Sequence, residues 1–105
     1  MNIFDLLGNI KLRPGLYLGG RSIVKLRNFL DGYYYALLVN GINDDEAFWN
    51  KFQLFISNKY HIETSQGWDK IILFFSNDEE DAFEKFFDLF EVFCEKDLDK
   101  KSNNN

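Results

Sequence analysis

Trp68-Asp69-Lys70-Ile71-Ile72-Leu73-Phe74-Phe75 is the stretch on which the fold class turns. Its apolar run at 71–75 suits a buried strand or a buried helix, and periodicity does not separate the two. A strand needs a neighbour, because its backbone N–H and C=O groups must be paired. No other segment alternates apolar and polar residues convincingly. The stretch is therefore read as helix. The expected fold is all-α, a compact bundle of about five helices with a Pro-Gly turn segment after the first.

The segments on either side agree with that reading. C-terminal to it, Phe83, Phe86, Phe87, Phe90, Phe93 and Cys94 recur at helical spacing and form one apolar face out to Leu98. Ser76 with Glu79, and Asn77 with Glu80, both fit a capping box at the start of this helix. N-terminal to it, Phe48, Phe52, Phe55 and Ile56 share a face, with Trp49 and Tyr60 beside it. That helix is expected from about Asp44 to Lys59, with Asn43 and Glu46 as its capping box. Earlier still, Ile23, Leu26, Phe29, Leu30, Tyr33 and Leu37 mark a helix with Ser22 as N-cap and Asn40-Gly41 as its stop. Gly32 lies inside it, where close packing against a neighbour or a kink would account for it. Of the three consecutive tyrosines, Tyr33 to Tyr35, one is expected at the surface. A first short helix covers Asn2 to Ile10. Pro14-Gly15 and Gly19-Gly20 then break the chain, with Leu16, Tyr17 and Leu18 expected to pack inward.

The chain has 105 residues, enough for one domain with a modest core. It is 46% hydrophobic with 12 Phe, which fits a folded chain with an aromatic core rather than a disordered one. Residues 1–99 are expected to form the domain and 100–105 a polar, frayed tail. The single cysteine, Cys94, rules out an internal disulfide and suits a reducing compartment. The first residues lack the basic and long apolar regions of a signal peptide. The longest apolar run, Tyr33 to Val39, falls far short of the roughly 20 residues needed to span a bilayer. The expected location is the cytoplasm, with no membrane partner.

Formal net charge is −5, and it is unevenly placed. Residues 1–43 carry five basic and two acidic side chains, a net +3. Residues 44–105 carry seven Lys against fifteen Asp or Glu, a net −8. Direct nucleic-acid binding needs clustered Lys and Arg and is not expected. The main chemical feature is an acidic stripe on the last helix: Glu80, Glu84, Asp88, Glu91 and Glu95. At about 100° per residue these fall within an arc of roughly 80°, which the helical wheel sets opposite the Phe face. Such a stripe either solvates the helix or docks a basic protein surface, speeding encounter and penalising wrong partners. Dipole complementarity accounts for acidic residues in the first turn but not for Glu91 or Glu95, near the negative end. Asp44 and Asp45 form a second acidic group that caps the preceding helix. It would extend the stripe if the two helix N-termini lay together.

Catalytic equipment is thin. His61 is the only histidine, and no nucleophile motif accompanies it, so a triad has one candidate base and no clear attacking group. Cys94 sits on the apolar face, where it reads as a small inert hydrophobe. Zinc needs several Cys or His, EF-hand spacing is absent, and there is no Gly-rich phosphate loop. No catalytic residue, metal or cofactor is expected.

Arg13-Pro14-Gly15-Leu16-Tyr17-Leu18-Gly19 resembles a segment near the start of the ATPase domain of type II topoisomerase B subunits. The helix that follows here has Asn28 but no Glu for Mg²⁺-ATP, and no Asp-x-Gly-x-Gly stretch comes after it. The shared element is thus the turn alone. A wider match is more informative. That motif, with Ser22, Phe29-Leu30-Asp31-Gly32-Tyr33, Gly67-Trp68-x-x-Ile71-Ile72, Phe75-Ser76 and the acidic Phe-rich helix, resembles a family of small bacterial immunity-type proteins. Those proteins are found beside toxin genes of the contact-dependent inhibition and Rhs type. The resemblance implies a cytoplasmic binder that blocks a cognate toxin domain; the competing reading is a small adaptor or regulator acting through protein contacts, and either a monomer or a homodimer is expected. The resemblance assigns no binding residues; the stripe is chosen on charge geometry alone.

Overall fold

A computed structural model describes residues 2–42 and 45–103, with side chains to residue 98. Six helices are present among the described residues, and no strand. They are α1 (Ile3–Leu12), α2 (Pro14–Leu18), α3 (Ile23–Val39), α4 (Glu46–Lys59), α5 (Trp68–Phe74) and α6 (Glu79–Asn103). The Trp68–Phe75 stretch is helical as expected, with Trp68, Ile71 and Ile72 buried. None of the described helices is long and apolar enough to cross a membrane.

Several expectations need correction. The Pro-Gly segment is itself a short helix: Pro14 takes its first position, where a missing N–H costs nothing. Gly19, at φ 78°, ends it in a left-handed conformation that suits glycine. Tyr17 packs edge-to-face on Phe29, with 6.4 Å between ring centres, and Leu18 is half-buried. Leu16, expected to face inward, points to solvent at 71% exposure. Gly32 has no neighbour within 4 Å of where a Cβ would stand, so the close packing expected inside the chain is not there. The last helix is capped by neither Ser76 nor Asn77. Asp78 does it, its Oδ1 accepting from the Asp81 N–H at 2.8 Å, while Asp81 Oδ2 accepts from the Asn77 N–H at 2.9 Å. Bonds from both the Asn77 N–H and Lys85 hold the Asp81 carboxyl below the ordinary aspartate range. α6 runs on to Asn103, through part of the segment expected as tail, because no Gly or Pro interrupts it. Asn43, the expected cap of α4, lies outside the described residues.

The core forms around Phe52 of α4. Its ring contacts Phe86, Phe90 and Phe93 of α6 at centroid distances of 5.7, 5.7 and 5.3 Å, and Trp68 of α5 at 5.4 Å. Most of these pairs are edge-to-face, the geometry the ring quadrupole favours. Residues early in α4 meet residues late in α6, as Phe48 meets Phe93 at 5.3 Å and Lys51 meets Asp97 at 3.9 Å. Phe55, late in α4, meets Phe93 as well, at 5.4 Å, so the two helices cross near Phe93. α1 lays Ile3, Leu6, Leu7 and Ile10 into the same core, and α3 adds Ile23, Leu26 and Leu30. Only the N-terminal half of α3 is buried; its last turns extend past the core.

Candidate protein-binding surface

α6 holds its register through contacts at its first turns. Ser22 is 4% exposed, accepts from the Lys25 N–H at 3.2 Å, and donates to Glu79 Oε2 at 2.9 Å. It thus caps α3 and ties that helix to the start of α6. Arg21 adds an exposed ion pair to Glu84 at 3.1 Å. Such a pair contributes little stability by itself, but it fixes which side of α6 faces α3.

All five stripe residues are exposed: Glu80, Glu84, Asp88, Glu91 and Glu95. Glu84 is neutralised by Arg21. Among the described residues, the other four have no cation within ion-pairing distance. The stripe is not wholly opposite the Phe face. Glu91 and Glu95 line a groove of about 350 Å³ with Phe4, Leu7, Phe87 and Cys94. They do so because Phe87 and Cys94 are the i−4 and i+3 neighbours of Glu91 on the helix, and Leu98 is the i+3 neighbour of Glu95. Lys11 crosses the same groove with its ammonium 5.9 Å from the Phe87 ring centre. An adjoining depression of about 340 Å³ is lined by Phe4, Phe48, Cys94, Asp97 and Leu98. Phe4 and Leu98 are 51% and 64% exposed there. An apolar floor with a charged rim is the layout of a protein interface. The residue pattern did not single out Phe4 or Leu98. Their signal is faint: each is apolar but lies at the edge of its helix's core-facing set.

The second acidic group is not joined to the stripe. The start of α6 sits beside Ser22, where Glu79 accepts from the hydroxyl, about 18 Å along α3 from Tyr34. Asp45 instead accepts from the Tyr34 hydroxyl at 3.0 Å, and Tyr34 accepts from Trp49 Nε1 at 2.8 Å. Burial, opposed by the Trp49 bond, pushes the Tyr34 hydroxyl well above its ordinary pKa. Asp44 lies outside the described residues.

Tyr34 and Trp49 also wall a cleft of about 280 Å³ between α3, α4 and α5. Its floor is Arg27, which bonds Asp31 at 3.0 Å and Asp69 at 2.9 Å and lies 5.1 Å from the Trp68 ring centre. With two carboxylates and an indole already on it, Arg27 serves as a tie between α3 and α5. Gly67 belongs to that tie. A Cβ there would stand 2.8 Å from Asp69 Oδ1 and 3.1 Å from Arg27 Nη1.

His61 has a structural position. It follows α4 at φ 53°, with its N–H bonded to Asn58 O and the Ile62 N–H to Ser57 O. That pair of bonds is a Schellman C-cap, with His61 where glycine is usual. Cys94 is partly buried, and burial, helped by Asp97, pushes its thiol up to about 11. At neutral pH it is a thiol, not a thiolate nucleophile. The described residues contain no group of three or more His, Cys, Asp or Glu that could hold a metal. No known protein family matches this chain, and neither does any curated protein or solved structure.

Proposed function

We propose that this chain is an immunity-type protein. In this reading it binds a cognate toxin domain in the cytoplasm and neutralises it by covering its active-site surface. The toxin class that fits best is a nuclease, because an enzyme acting on a polyanion must present a basic surface. The observation that carries the reading is the row of exposed carboxylates, Glu80, Asp88, Glu91 and Glu95, unpaired among the described residues, the last two of which border an apolar groove. A merely solvating surface has no need of the groove. The sequence resemblance points the same way. Inhibition by occlusion is stoichiometric and needs no chemistry from this chain.

The test is co-expression with toxin domains encoded next to this reading frame, followed by isolation of a 1:1 complex. Double charge reversal, Asp88→Lys with Glu91→Lys, should slow association by about tenfold or more at low salt and flatten its salt dependence. An on-rate and salt response equal to wild type would remove the stripe from the interface. The second reading is a small adaptor acting through protein contacts, and it draws on the uncovered end of α3.

A further inference from the structure

The groove beside Glu91 has on both walls the spacing by which one helix receives another. On α6 the row Phe87, Glu91, Cys94 and Leu98 lines it, at steps of four, three and four. On α1 the row is Phe4, Gly8 and Lys11, at steps of four and three. At about 100° per residue each row falls within an arc of roughly 60°, so each is a single face. Alternating steps of three and four make the seam of a coiled coil. α6 already uses one such seam, Phe83, Phe86, Phe90 and Phe93, all buried in the core. The second seam is open. Phe4 and Leu98 are each more than half exposed, and the two depressions on this side of the molecule meet at Phe4, Cys94 and Leu98. Gly8 keeps the α1 wall low. A mid-helix glycine weakens a helix relative to alanine, and no atom lies within 4 Å of where its Cβ would stand.

We propose that this groove takes one amphipathic α-helix of a partner protein, apolar where it lies between α1 and α6 and carrying Lys or Arg one turn apart beside Glu91 and Glu95. The proposal deepens the reading above, on which it rests only for the partner's being a toxin. Charge selects the occupant. Glu91 stands inside an otherwise apolar row, and among the described residues neither it nor Glu95 has a cation within ion-pairing distance. Covering the groove takes Glu91 out of water, which is costly unless a cation comes to lie opposite. Residues four apart on a helix are about 5–6 Å apart at Cβ, a separation that two basic residues one turn apart on the entering helix reproduce. Lys11 lies over the Phe87 ring, one turn before Glu91, so the entering cations belong at the other end. Backbone chemistry selects a helix. Both walls are helices whose own N–H and C=O groups are bonded within them, so an extended segment finds no edge to pair with, whereas a helix bonds itself. A second copy of this chain does not meet these terms. Its own groove would set Glu91 against Glu91, and its uncovered end of α3 has no charge over residues 32–43 to place beside them.

Synthetic peptides of about 15 residues, four turns of helix, test the groove without any toxin. The first carries leucines at steps of four and three, with two lysines one turn apart beside them. A second has glutamates for the lysines, and a third has a proline at its centre. Fluorescence anisotropy with the full chain should give the basic peptide a Kd on the order of 100 µM or tighter, and the acidic one a Kd about tenfold weaker or more. The proline peptide should not bind. Glu91→Lys should reverse the preference between the basic and acidic peptides. Gly8→Ala should raise the melting temperature of the chain and weaken the basic peptide, opposite effects that a purely structural role for the glycine would not give. Leu54→Glu, at an exposed apolar position on α4, should change neither. Thermal melts confirm that each variant is folded. No saturable binding up to about 1 mM, equal binding of the basic and acidic peptides, or a preference that survives Glu91→Lys overturns the proposal. A chain that binds the basic peptide but no toxin domain upholds the groove and removes only the toxin reading. A toxin complex indifferent to both Leu98→Glu and Gly8→Ala overturns the groove and leaves that reading in place.

Discussion

Replacing Ser22 with alanine tests how the bundle is held in register. The side chain does two things at once, and both can be sized. As N-cap of α3 it accepts from the Lys25 N–H; losing such a cap costs about 1 kcal/mol. It also donates to Glu79 across 57 residues of sequence. A bond to a charged acceptor contributes about 1.5–3 kcal/mol where it is shielded, and Glu79 is exposed, so the discounted figure is about 1 kcal/mol. Together they give a loss of about 2 kcal/mol, or roughly 10 °C in melting temperature for a domain of this size. Urea and thermal denaturation followed by circular dichroism would measure it. Ser65, exposed in the loop before α5, supplies the control, since Ser65→Ala should stay within about 0.5 kcal/mol of wild type. The double-mutant cycle with Glu79→Ala is the sharper arm. If the hydroxyl joins the two helices, the two substitutions are less than additive, with a coupling of about 0.5–1 kcal/mol. A total loss below about 0.5 kcal/mol, or strict additivity, would refute the reasoning that Ser22 links the helices.

Two further substitutions probe single contacts. Gly67→Ala should cost about 1–2 kcal/mol, because the new methyl group displaces Asp69 from Arg27 in a half-buried tie. Gly8→Ala, which meets nothing within 4 Å inside α1, should instead stabilise by about 0.5–1 kcal/mol; equal effects in urea titrations would contradict this account. His61→Gly should stabilise by about 1 kcal/mol, since His61 sits in the left-handed region at φ 53°, and a measured loss would mean that the imidazole makes a contact of its own.

What could be read from the residues was local. The Phe face of α6, the Ser22 cap and the Asn40-Gly41 stop all depend on neighbours a few positions away, and each is where the pattern put it. The cap of α6 was misplaced for a related reason. Three residues of capping type stand in a row from Ser76 to Asp78, and Glu79, needed for the Ser76 box, is taken by Ser22 from another helix. The stripe's residues were legible, but their setting was not. Arg21 on Glu84, the Phe4 groove beside Glu91, and the crossing of α4 over α6 at Phe93 join segments far apart in the chain. No periodicity reports such pairings. Gly32 is the converse case: of the two readings its position left open, packing against a neighbour or a kink, the first finds nothing within 4 Å.

The residues on which the proposed family resemblance rests are nearly all explained by the scaffold. Pro14 starts α2 and Gly19 ends it; Tyr17 packs on Phe29. Ser22 caps α3, Gly67 makes room for Arg27 and Asp69, and Trp68, Ile71 and Ile72 fill the core. None of the quoted motif positions is a stripe carboxylate, and the acidic character of the last helix enters the resemblance only as composition. The proposed likeness therefore rests on fold elements. Two chains sharing it can present different charges along α6 and bind different partners on the same bundle. It follows that a toxin borrowed from a similar chain is the wrong probe for this one. Failure to bind it would leave the immunity reading intact, whereas the absence of any toxin domain encoded beside this reading frame, or failure to bind one found there, would count against it directly.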